Sequence, residues 1–257
     1  MNNSEIVDYR FGEQLYINEF LTPDSFMIKS AVDSLPLSGD VIKSIADFIR
    51  DGFKYPFTSS GIPSTDGQLL RYKKGLLGYY FKECRNYVVA YPIETLVSKY
   101  GFCIETANLC TSLLLKINED AWVDVGEVRR INPDQLLGYH AWSVVRGGLN
   151  IAIETTIHDA GQNTIIPIFD LYDKNSDWAK EANLYYIVHG RYNKDTYIEE
   201  TPFARFCLRF LFLPKAFCEP MIGIKIFNPK KLYKMWRKDH AELIEAINLG
   251  WKNGEKK

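Results

Sequence analysis

A thiol, an imidazole and a carboxylate occur along this chain in the order Cys103, His140, Glu154. The runs that carry them are Tyr100-Gly101-Phe102-Cys103-Ile104-Glu105-Thr106-Ala107, His140-Ala141-Trp142 and Ile153-Glu154-Thr155-Thr156. A thiol attacks an acyl carbon well only as the thiolate. An imidazole can remove its proton and later return one to the leaving group, and a carboxylate can fix the imidazole tautomer and stabilise the imidazolium. The trio therefore points to acyl chemistry on sulfur.

Each member needs an element to place it. Residues Cys103 to Leu115 predict a helix with Cys103, Ala107, Cys110 and Leu114 on one side. That puts Cys103 at a helix start, where unpaired N–H groups and the dipole favour an anion. Gly101, two residues earlier, lets the backbone turn into the helix, and the Cys103 N–H can meet a developing oxyanion. The bland alternative is a core cysteine at a helix end, and the local pattern alone does not choose between them.

His140 opens a predicted strand and is flanked by Gly138, Tyr139 and Trp142. Its bland alternative is a core histidine or an aromatic stack. Trp142, on the same strand face, is a candidate shield and substrate-binding residue. Glu154 falls on the next predicted strand, so the turn between them decides whether it faces His140. A two-residue loop, Gly147-Gly148, sets His140 opposite Thr155 and turns Glu154 away. A three-residue loop, Arg146-Gly147-Gly148, sets Val145 opposite Leu149 and His140 opposite Glu154. The trio requires an odd-length loop.

Around this centre, residues Ser38 to Phe53 predict a helix, with Ser38 or Asp40 as cap and Val41, Ile45, Phe48 and Ile49 on one face. Tyr55 to Lys74 predict a long loop, Leu76 to Tyr91 form a short aromatic segment, and Pro92 opens a helical turn. Strands are expected at Ala121 to Arg130, His140 to Arg146 and Leu149 to Thr155, with a loop at Asn132-Pro133-Asp134. Further strands are expected at Ile165 to Leu171 and Ala182 to Val188. Pro229 to Leu249 predict a helix that stops before Gly250, followed by a frayed polar tail from Lys252.

Composition narrows the function classes. With 257 residues, one elaborated domain is expected. A net charge of −1 argues against nucleic acid as partner. The basic run Lys230, Lys231, Lys234, Arg237 and Lys238 reads as a solvated helix face. Met1 to Arg10 has no apolar core, so a cytoplasmic protein is expected. Arg205, Arg209, Lys215, Glu219 and Lys225 interrupt the apolar stretch Phe203 to Phe227, so no membrane span is expected. The five cysteines form no C-x-x-C pair and the four histidines are scattered, so neither a metal nor a cofactor is expected. Cys84, Cys110, Cys207 and Cys218 read as packing residues. His158-Asp159 would point to opposite strand faces and share no ion, and His189 and His240 have no evident partner.

At the three runs the sequence resembles the transglutaminase-like superfamily, a branch of the papain-like thiol enzymes. The matching residues are Gly101-Phe102-Cys103, Ala107 with Leu113-Leu114-Leu115, His140-Ala141-Trp142 and Glu154-Thr155-Thr156. The lead-in Tyr91-Pro92-Ile93-Glu94-Thr95-Leu96 and the earlier helix ending near Lys54-Tyr55 are also similar. The likeness covers Pro92 to Asp159 and stops by Thr164. It implies an α+β fold with a papain-like core, the nucleophile helix packed on an antiparallel β-sheet, and extra N- and C-terminal elements. Residues 1–75 would be a helical lead-in, 76–164 the catalytic core and 165–257 an extension packed on it.

The resemblance implies acyl transfer on a peptide or amide bond of a peptide or protein substrate, through a thioester and a Cys103-His140-Glu154 triad. Water as acceptor makes a cysteine protease or amidase, and an amine makes a transglutaminase. A fold kept as a non-catalytic peptide-binding module is the third possibility, and oligomeric state stays open. Two departures stand out: Glu154 replaces the usual Asp, and no Gln precedes Cys103 within Thr95 to Tyr100, leaving Gln68 in the long loop.

Overall fold

A computed structural model describes residues 6–10, 13–36, 39–55, 72–75, 78–81, 89–157, 161–211 and 229–255. Two small hairpins pair β1 (Ile6–Arg10) with β2 (Glu13–Tyr16) and β3 (Tyr72–Gly75) with β4 (Gly78–Phe81). Helices α1 (Phe26–Asp33), α2 (Val41–Gly52), α3 (Pro92–Ser98) and α4 (Cys103–Lys116) precede the main sheet. The strands β5 (Ala121–Arg130), β6 (Gln135–Val145), β7 (Ile151–Ile153), β8 (Ile165–Pro167), β9 (Leu184–Tyr192) and β10 (Tyr197–Glu199) build that sheet. Helices α5 (Ile168–Tyr172) and α6 (Asp177–Ala182) lie between β8 and β9, and α7 (Ala204–Leu211) and α8 (Pro229–Gly254) follow β10.

The protein is α+β. Its open sheet has six antiparallel strands in the order β10-β9-β5-β6-β7-β8. Alternation along the strands sends their side chains to two helical layers. Val123, Val125 and Ala141 pack with Cys103, Ile104, Ala107 and the α7 residues Ala204 and Leu208. Ala121, Val145 and Ile153 pack with Leu109, Leu113 and Leu114 of α4, which also meet Ile28 and Val32 of α1 and Ile45 and Ile49 of α2. On the opposite face Trp142, Val144, Ala152 and Tyr186 pack with Leu243, Ile247 and Trp251 of α8. Residues 165–257 therefore supply β8, β9 and β10 to the same sheet that carries His140, and a helix to its back.

Helix α4 differs from its expected one-sided pattern. Every residue from Cys103 to Leu114 is buried, because the sheet takes one side and α1 and α2 the other. Helix α2 starts after Asp40, whose side chain accepts from the Lys43 N–H at 3.1 Å, and buries Ile42 and Ala46 alongside Ile45 and Ile49. Pro92 does open a helix, α3.

The turn after β6 is longer than the expected three residues. The register pairs Val145 with Ile151, so Arg146 to Asn150 form a five-residue loop in which Gly147, Gly148 and Asn150 have positive φ. Five is still odd, so the faces come out as the trio requires. Strand β7 is shorter than expected, ending at Ile153. The expected strand at Ile165 to Leu171 splits into β8 and α5, and that at Ala182 to Val188 begins at Leu184 and extends to Tyr192. Helix α8 runs through Gly250 to Gly254 rather than ending at Leu249. A Cβ at Gly250 would come within 2.3 Å of Leu184 Cδ1, so this glycine serves close helix–strand packing and not a cap.

The end of the expected long loop, Tyr72 to Lys74, belongs to strand β3; residues 56–71, with Gln68, lie outside the described residues. So do Ser38, Cys84, Cys218 and His158-Asp159. Among the described residues no helix is long and apolar enough to cross a membrane.

Candidate active site

Cys103 is the first residue of α4. The chain reaches it through a turn at Lys99, which takes the left-handed conformation with φ 62°. The backbone reversal expected at Gly101 therefore belongs to Lys99. Gly101 is needed for space: a Cβ there would sit 3.1 Å from Thr106 Cγ2 and 3.2 Å from both Glu105 Cβ and Thr95 Cγ2. A short parallel bridge between Lys54 and Tyr100 anchors this approach to the end of α2.

Glu105 closes the helix start. Its Oε2 accepts the Phe102 N–H at 2.8 Å, and its Oε1 accepts the Ala90 N–H at 2.7 Å. This is the acidic third position of a capping box, with the carboxylate also holding the preceding chain in place. Glu105 is 2% exposed. The sequence signal for it is local: an acid three residues past Phe102.

His140 sits on β6 opposite Gly126 of β5. A Cβ on Gly126 would fall 1.8 Å from the Ile187 carbonyl oxygen of β9, where the β5–β9 register shifts around His189. Pairing of β6 with β7 covers only Ser143, Val144 and Val145, so β6 runs on past His140 with β5 alone. The start of α4 reaches this opening: Thr106 Oγ1 donates to Thr155 Oγ1 at 3.1 Å.

Glu154 follows β7 directly, its N–H bonded to the Thr164 carbonyl at 2.8 Å. Extending the β6–β7 register sets it opposite Trp142, diagonal to His140 on the same face. The longer Glu side chain spans that diagonal. His140 Nε2 lies 3.0 Å from each Glu154 oxygen. Oε1 also accepts the Thr156 N–H at 3.0 Å and the Thr156 hydroxyl at 2.7 Å, and Oε2 accepts the Tyr186 hydroxyl at 2.9 Å. Trp251 of α8 in turn donates to the Tyr186 oxygen at 3.1 Å.

A carboxylate only accepts, which assigns the shared proton to His140 Nε2 and leaves Nδ1 as the nitrogen able to act as a base. Nδ1 has no partner in full hydrogen-bond alignment. Cys103 is near enough for its charge to raise the ring's pKa.

Burial pushes the His140 pKa down, but Glu154 and then Cys103 outweigh it and raise it to about 10. Burial likewise pushes Glu154 up, and the facing imidazolium, with the Thr156 and Tyr186 donors, brings it below its ordinary value. The pair is therefore most stable as imidazolium and carboxylate, the state that complements a thiolate.

Trp142 is completely buried. It stacks on His140 with centroids 6.0 Å apart, meets Tyr186 edge-on at 5.0 Å and donates to the Tyr172 hydroxyl at 2.9 Å. These contacts set the indole against the His140 ring. The expected substrate contact does not fit this placement, because Trp142 presents no open surface.

Among the described residues, Cys110, Cys207 and His189 have other settings. Cys110 and Cys207 are buried packing residues, and burial raises both thiols to about 12. His189 does have partners: Nδ1 lies 2.8 Å from Thr201 Oγ1, and Nε2 is 3.3 Å from Glu127 Oε1, an ion-pair distance without hydrogen-bond alignment. Among the described residues no group of three His, Cys, Asp or Glu could hold a metal ion. Compared with known proteins, the chain matches no family model and no curated protein.

Proposed function

We propose that the protein performs thiol-dependent acyl transfer on a peptide or amide bond, by transglutaminase-like chemistry on a papain-like core. One observation carries this reading: His140 is held by Glu154 through Nε2 while Nδ1 has no hydrogen-bond partner among the described residues, and Cys103 opens a buried helix. The Cys103 thiolate attacks the acyl carbon, and the carbonyl electron pair moves to oxygen. Collapse expels the amine, which takes the His140 proton, and leaves an acyl-Cys103 thioester. His140 then removes a proton from water, whose oxygen attacks the thioester and releases the acid and the thiolate. A primary amine in place of water gives a new amide. Reduced cysteines are needed throughout, in keeping with a reducing compartment such as the cytoplasm.

Burial favours a second reading. Cys103 is 3% exposed and His140 fully covered, as they would be in a peptide-binding module that keeps the fold without the chemistry. Iodoacetamide separates the two. An active site alkylates Cys103 well ahead of Cys110 and Cys207 at neutral pH, with the adduct located by peptide mapping. Modification no faster than an ordinary thiol sinks the catalytic reading. A labelled primary amine, incorporated or not, distinguishes transfer from hydrolysis.

A further inference from the structure

Building on the acyl-transfer reading, we propose that the Tyr55 hydroxyl and the Cys103 backbone N–H together hold the oxyanion that forms when the thiolate attacks. Tyr55 stands forty-eight positions before the thiol, and chain order alone gives it no such role. Position in the fold marks it. Lys54 donates to the Lys99 carbonyl at 3.0 Å and accepts the Gly101 N–H at 3.2 Å, which fixes Tyr55 beside the run leading into Cys103. The Tyr55 ring then meets Phe102 edge-on, with centroids 5.3 Å apart and planes at 88°.

The hydroxyl is buried and has no hydrogen-bond partner among the described residues. A buried unpaired donor costs stability and calls for an explanation, and an oxyanion present only during reaction supplies one. Burial, and then the charges of Cys103 and Glu105, raise its pKa well above the ordinary value, so it stays a neutral donor throughout the working range.

The competing donors fit less well. The Tyr192 hydroxyl is committed to Asn108 Oδ1 at 2.5 Å. The Asn108 amide nitrogen is unpaired, but five residues down α4 sets it about 7.5 Å from Cys103 along the axis. The Cys103 N–H lies in the first turn, where no helical carbonyl can accept it.

The test compares two reactions of Cys103 in the wild-type protein and in Tyr55→Phe. Alkylation by iodoacetamide needs the thiolate but forms no oxyanion. Acylation by p-nitrophenyl acetate, followed as a burst of p-nitrophenolate, passes through one. Loss of one donor is expected to slow acylation about 10²–10³-fold and leave alkylation unchanged. Unchanged acylation overturns the role of Tyr55. A parallel loss of both reactions also overturns it, because the hydroxyl would then act on the thiolate or the fold. Slow alkylation of the wild-type protein overturns the acyl-transfer reading itself, and the Tyr55 role with it.

Discussion

The Tyr186 hydroxyl donates to Glu154 Oε2 at 2.9 Å, and the same hydroxyl oxygen accepts the Trp251 indole N–H at 3.1 Å. The carboxylate that orients His140 is thus itself held from β9 and, through β9, from the C-terminal helix. Residues 165–257 complete the candidate site from behind.

Tyr186→Phe keeps the ring that packs on Trp142 and removes one donor from a buried carboxylate. It also leaves the Trp251 N–H unpaired. The expected cost is about 1–3 kcal/mol of stability, and Glu154 becomes harder to ionise. Urea unfolding reads the first effect. The pH profile of Cys103 alkylation reads the second, with the acid limb moving to higher pH. An unmoved limb would reduce Tyr186 to a packing residue.

The His140–Glu154 pair predicts how stability depends on pH. His140 has its pKa raised from 6.5 to about 10, so its contribution is complete below about 6.5 and is lost as pH rises towards 10. Glu154 is lowered from 4.5, so its contribution is present above that value and lost as pH falls through the folded value. Stability should therefore be greatest between these limits. Glu154→Gln should remove most of the alkaline decline, and urea midpoints measured from pH 5 to 10 in both proteins check this.

Gly101→Ala should damage the site more than the fold. The added methyl meets three neighbours at 3.1–3.2 Å, two of them on the first turn of α4. Overpacking of this kind costs about 1–3 kcal/mol, but here any relief displaces the start of α4 and with it Cys103. Alkylation slowed without a matching loss of secondary structure is the expected result. Normal alkylation would show that the Cys103 position tolerates the shift.

Gly126→Ala has no such latitude. Its Cβ would lie 1.8 Å from the Ile187 carbonyl oxygen, which is backbone in the middle of the sheet. Either the β5–β9 pairing opens or the protein fails to fold. Circular dichroism and amide exchange across Leu184–Tyr192 report which, and a well-folded variant with protected β9 amides would contradict the geometry.

Much of the site was legible because its signals are local. The helix start at Cys103 follows from Gly101 and the apolar run after it, the strand at Ala121 to Arg130 from its apolar composition, and the face of Glu154 from the parity of the turn. A three-residue loop and a five-residue loop give the same faces, so parity alone sets the side. What the length changed was the partner: Glu154 lies diagonal to His140, a geometry in which the extra methylene of Glu over Asp helps the reach.

What the sequence determined by itself was the order of chemical groups and the faces they occupy, because period and parity are properties of neighbouring residues. Tertiary structure decided the rest. Tyr55, Glu105, Tyr186 and Trp251 surround the trio because a parallel bridge, a buried cap, a bulged strand and a helix on the far face bring them there. Contacts between residues dozens of positions apart depend on how whole layers pack, and local sequence carries no record of that.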